Sequence, residues 1–195
     1  MAGKAGLGLR ARRLRQTLCI QVEHSMGMTP EQFLEAFVDQ NRLDCHERPG
    51  DVRRGFNAAV SCSHLADHYF AYNKRHCPRK VAEFQTIGDI VEYLSEQTDG
   101  AFQDIRSVSN AYKHLYTGTG PFSRYSTVDS CGAIEGLTFT SDDQISEIHE
   151  EYLAEGKENS RSAVVVKRND GSQFELLPAL DKTVQVFFDL VYADA

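Results

Sequence analysis

His64 and His68 stand four residues apart in SHLADHYF, Ser63 to Phe70, an otherwise apolar stretch with Asp67 beside His68. Residues of these types can bind a transition metal, move a proton or bind an anion. In a helix turning about 100° per residue, Asn57, Ser61, His64 and His68 form one stripe about 60° wide. SNAYKHLY, Ser109 to Tyr116, repeats the pattern: Gln103, Ser107, Asn110 and His114 fall at the same steps. Asp67 and Asp104 flank the two stripes, where each could fix a histidine tautomer. Arg106 and Lys113 lie together on the side of their helix away from Asp104.

Three chemistries compete for these residues. Neutral imidazoles with a nearby carboxylate suit zinc, nickel or iron. A histidine beside Lys or Arg suits acid/base work on a phosphodiester, the cation bearing the developing charge. A hydrogen-bonded network that only fixes helix register needs the same residues, because an unpaired buried polar group costs about 1–3 kcal/mol. The candidate catalytic set is His114, Arg106, Asn110, Lys113, His64 and His68, supported by Asp67, Asp104, Asn57, Ser61 and Ser107. No metal or other cofactor is assigned. Cys45-His46 and His76-Cys77 bracket the segment carrying the first stripe, too far apart along a helix to share one ion. Cys62 reads as core rather than nucleophile.

The elements that must position these groups follow from capping and periodicity. Thr29, Pro30 and Gln32 form a capping pattern that starts a helix over Pro30 to Arg42, with Phe33, Phe37 and Val38 as its apolar stripe. A second helix spans Asp51 to Arg75, apolar around most of its circumference and hence central. A third starts after Thr86 and ends near Gln97. A fourth runs through AFQDIRSVSNAYKHLY with Phe102, Ile105, Val108, Tyr112 and Leu115 at core spacing. GAIEGLTFT reads as strand, and SDDQISEIHEEYLAEG as a surface helix. SAVVVKRNDGSQFELL is a β-hairpin turning at Asn169-Asp170-Gly171. A helix closes the chain with Leu180, Val184, Phe187 and Val191 on one face. The predicted fold is α+β, mainly α. It is a four- or five-helix bundle with a small antiparallel hairpin or sheet and a C-terminal helix packed on the bundle.

The chain has 195 residues and a net charge of −7. From Met1 to Gln21 there are five basic residues and no acidic one, so the remainder carries about −12. Residues 1–25 read as a basic, disordered segment, and 26–195 as one helical domain with a hairpin appendage at about 120–177. The negative balance argues against a general nucleic-acid binder but allows a local basic patch. No stretch has the apolar length of a membrane span. Five cysteines without regular spacing point to reduced thiols and a cytoplasmic location.

HLADHYF, then DIRSVSNAYKHL, then a DG hairpin leading into an apolar C-terminal helix, resembles a group of uncharacterised bacterial proteins. These in turn resemble the HEPN helical bundles, many of which are ribonucleases in toxin–antitoxin and phage-defence systems. That family's motif is an Arg followed after four to six residues by a His. Arg106 and His114 match it in type, with seven residues between them, and Ser107 matches the polar residue after the Arg. The resemblance implies RNA or a cognate protein as partner, with a homodimer as a further possibility. Whether the chain is an enzyme stays open between this metal-independent nuclease, a non-enzymatic interaction module and a histidine-based metal-dependent hydrolase.

Overall fold

In the computed structural model, residues 27–117, 126–140 and 160–193 are described. The sequence supplies strong start signals for its helices. Thr29 and Gln32 complete a reciprocal capping box at α1, Pro30–Phe33. The helix continues through a π-helical stretch, Leu34–Asp39, into α2, Gln40–Glu47. Asp51 accepts from the Arg53 and Arg54 amides and starts α3, Val52–His76. Thr86 and Asp89 cap α4, Ile87–Gln97. Gly100, in the left-handed region, precedes α5, Ala101–His114, and α6, Leu176–Tyr192, follows the sheet.

Strands β1, Ile134–Thr140, β2, Ser160–Lys167, and β3, Gln173–Glu175, form an antiparallel sheet in that order. Ile134 pairs with Val166 across β1 and β2, and Val166 with Phe174 across β2 and β3. Gly171 turns the hairpin at φ +87°, where a side chain would be strained. Position 136 is glycine for a different reason: a Cβ there would collide with the Gly50 carbonyl, which brings the α2–α3 turn against β1.

α3 is the central helix, packed against α2, α4, α5 and α6. Ala58, Ala59, Cys62, Leu65 and Ala66 are fully buried along it. Phe102 of α5 meets Phe187 of α6 edge to face at 5.7 Å. Ile134, Val164 and Val166 of the sheet join this same core, so sheet and helices share one apolar interior. The fold is α+β and mainly α, as predicted.

Three details depart from the sequence reading. The first helical unit extends to Glu47 rather than Arg42, and its π-helical stretch changes which residues face inward. With i→i+5 bonding, Leu34 and Val38 are buried, whereas Phe37 is 45% exposed. On α5, Tyr112 is 54% exposed and Leu115, which follows the helix, is 55% exposed, so neither belongs to the core. The helix predicted in SDDQISEIHEEYLAEG and the basic segment 1–25 lie outside the described residues.

Candidate functional site

The α3 stripe opens onto a groove. Asn57, Ser61 and His64 line it with Val60, facing Phe33, Phe37 and Asn41 of the first helical unit and Tyr112 of α5. The groove encloses about 240 Å³. Asn41 Nδ2 donates to Ser61 Oγ at 3.2 Å, and Ser61 donates to the Ala58 carbonyl, which fixes this hydroxyl on the groove wall. The π-helical stretch supplies Phe37 by turning it away from the core.

At one end of the groove α3 and α5 meet through charged side chains. Lys113 Nζ lies 2.7 Å from His64 Nε2. An ammonium can only donate, so His64 Nε2 is the acceptor and the ring proton sits on Nδ1. Burial, then the Lys113 charge, holds the His64 pKa below the usual imidazole value, with Asp67 opposing and Arg106 adding to the depression. Burial also lowers the Lys113 pKa. Arg106 Nη2 reaches Asp67 Oδ1 at 3.5 Å, a long contact between a mostly buried guanidinium and a half-exposed carboxylate, and Arg106 Nη1 is buried without a partner among the described residues. Arg106, Asn110 and Lys113 fall within about 60° around α5. Among the described residues, the cluster holds two cations against one carboxylate, with a neutral imidazole between.

His68, Asp104 and Ser107 have partners outside the groove. His68 Nε2 donates to the Met28 carbonyl at 2.8 Å, and its ring stacks on Phe33 at 5.1 Å, which pins the chain where it enters α1. Asp104 is buried and held by Arg168 Nε and Nη2, at 2.9 and 2.6 Å, and by Thr127 Oγ1 at 2.8 Å. Ser107 Oγ donates to the Gln103 carbonyl and accepts from Thr127 N. Asp104 and Ser107 thus anchor the sheet and the segment before it to α5. His114 ends α5 on an exposed position.

Among the described residues, no group of three or more His, Cys, Asp and Glu side chains is placed to hold a metal ion. Cys62 is fully buried and its thiol is pushed well above the ordinary value, in keeping with a core residue. Also among the described residues, no helix is long and apolar enough to cross a membrane.

The sequence reading identified the α3 side of the site but not its aromatic walls. Regular α-helical spacing points Phe37 inward, and the Phe102 and Val108 face of α5, extended to the helix end, points Tyr112 inward. The spacing of Arg106 and Lys113 was the available signal for the α5 side. The arrangement is an open aromatic groove with a cationic, proton-accepting rim, and the chain that builds it matches no protein-family model, no curated protein and no solved structure.

Proposed function

We propose that this protein binds and processes RNA or a related nucleic acid on the α3–α5 face, as the resemblance to HEPN-like bacterial bundles implies. The observation that carries the reading is the Lys113–His64 pair at 2.7 Å, on the rim of an open groove and with Arg106 on the same side of α5. The pair joins a cation to a neutral imidazole acceptor. A phosphate drawing Lys113 toward itself releases His64 Nε2, which then takes the proton of a ribose 2′-hydroxyl. The 2′ oxygen bonds phosphorus as the bond to the 5′ oxygen breaks, and that leaving oxygen takes a proton from water. Lys113 and Arg106 bear the charge that develops on the phosphoryl oxygens. The resemblance adds His114 to this set and a toxin–antitoxin or defence setting; the polar stripe of α5 adds Asn110, and the unpaired cysteines a cytoplasmic location.

The test is cleavage of a labelled RNA by wild type, His64→Ala and Lys113→Ala, with thermal unfolding of each. Loss of a positioned acid/base group lowers the rate by about 10²–10⁴-fold with the melting temperature nearly unchanged. Full cleavage by His64→Ala, or none by wild type, overturns the catalytic reading.

A second reading has its own observation. Phe37, Tyr112, Leu115 and Tyr116 are all large and substantially exposed, the last at 70%. Exposed apolar side chains around one region mark interaction surfaces. In that reading the face docks a cognate protein or a second copy, and the His64–Lys113 pair is part of a polar rim. Sedimentation of the wild type and of Leu115→Ser/Tyr116→Ser separates the two, since that double substitution, away from the groove lining, lowers self-association and leaves RNA cleavage unchanged.

A further inference from the structure

We infer that the groove receives one unpaired nucleobase, stacked between Phe37 and Tyr112, while the adjoining phosphate lies on Lys113. The inference rests on the nucleic-acid reading above and specifies which form of the ligand that reading requires. The groove volume, about 240 Å³, is below the roughly 300–1,000 Å³ of sites for drug-sized molecules. It suits a single ring system and excludes a stacked pair or a duplex. Its walls are aromatic, and each wall is backed by a second ring. Phe37 rests on Phe33 at 5.3 Å, and Phe33 stacks in turn on His68. Tyr112 rests on Phe56 at 4.7 Å. Rings held this way lose little freedom when a base slides against them, which is the arrangement that single-strand binders use without sequence preference. The floor adds polar groups suited to a base edge. Asn57 presents an exposed amide, and Asn41 keeps its carbonyl oxygen after its amide nitrogen has gone to Ser61.

Charge complementarity fixes the remaining part of the occupant. A neutral planar ring alone would leave the cationic rim unused, because Asp67 is the one carboxylate among the described residues that Lys113 and Arg106 share. An aromatic ring carrying a phosphodiester uses both the groove and the rim. His64 lies at the boundary, lining the groove and accepting from Lys113.

The experiment measures fluorescence anisotropy with three probes of equal length that resist cleavage: a 2′-deoxy single strand, the same strand with abasic positions, and the duplex. Wild type is expected to prefer the single strand over its abasic form by about 5- to 150-fold, which is the usual stacking contribution of one base. The duplex is expected to bind at the abasic level. Tyr112→Ala is expected to abolish the preference for bases while still binding the abasic strand. Because the abasic comparison uses wild-type protein, it does not depend on how a variant folds. Equal affinity of wild type for the first two probes overturns the base pocket and leaves phosphate binding at Lys113 standing. Equal affinity for duplex and single strand, or a preference retained in a folded Tyr112→Ala, also overturns it. Failure to bind any probe overturns both this inference and the nucleic-acid reading beneath it.

Discussion

The two faces of α5 carry charged clusters of similar composition and opposite character. On one face, Asp104 is buried and accepts from Arg168 and Thr127, and neighbouring Ser107 accepts from Thr127 N. Every polar group there has a short, well-directed partner. On the other face, Lys113, Arg106 and His64 share one half-exposed carboxylate, the Arg106–Asp67 contact is long at 3.5 Å, and burial depresses the pKa of both Lys113 and His64. The first cluster has donors and acceptors in balance and so contributes stability. The second has an excess of positive charge among the described residues near a groove, so it is improved by an anion that those residues do not provide. The contrast separates a structural network from a candidate site within one 14-residue helix.

The largest effect is expected from Asp104→Ala. It leaves a partly buried guanidinium without its counter-charge, and removing one partner of a buried pair costs about 3–5 kcal/mol. Arg168 is 29% exposed, which favours the lower end, near 3 kcal/mol. Thermal unfolding should then fall by roughly 6–12 °C for a chain of this size. A shift under about 2 °C would erase the distinction between the two faces.

Ser107→Ala should cost less. It removes the acceptor of the part-buried Thr127 amide, a loss of about 1 kcal/mol. Urea denaturation should show a lower midpoint with an unchanged slope. An unchanged midpoint would mean that water replaces the hydroxyl and that the anchor rests on Asp104 alone.

Lys113→Met, on the opposite face, should alter stability by no more than about 0.5 kcal/mol, as is usual for exposed positions. Its clear effect is on titration. The Lys113 charge is one cause of the depressed His64 pKa, so its removal should move that pKa upward, read by NMR of the His64 ring. A downward movement would contradict the pairing.

The smallest expected effect is a pH dependence of stability from His64 itself. Its folded pKa lies below the ordinary imidazole value of about 6.5, so the unfolded chain binds the proton more readily in that range. Its contribution is therefore fully present above that value and is lost as pH falls through the folded pKa. Wild type should lose more stability than His64→Gln between about pH 7 and pH 5. Parallel curves would show that His64 is solvated like a free imidazole.

The sequence by itself determined the parts of this protein that depend on local chemistry. Thr29 with Gln32, Asp51, and Thr86 with Asp89 satisfy orphan amides within three residues of themselves, so helix starts were readable. Asn169 to Gly171 specified the hairpin because Gly171 accepts a positive φ. The polar line Asn57, Ser61 and His64 was readable on α3, and these three do line the groove, because α3 is apolar on nearly every other side. Only the tertiary structure decided which face of α5 meets them. The stripe Gln103, Ser107, Asn110 and His114 was as regular as its counterpart. However, Phe102, packing on Phe187, and Asp104, binding Arg168 from 64 residues away, set the rotation of the helix. That rotation brings Lys113 to His64. The π-helical bonding of Leu34 to Asp39 was equally hidden, since it departs from α-helical spacing without a distinctive residue to signal it. Its consequence, Phe37 on the groove wall rather than in the core, is a matter of rotation about a helix axis, and such rotations are fixed by distant packing partners.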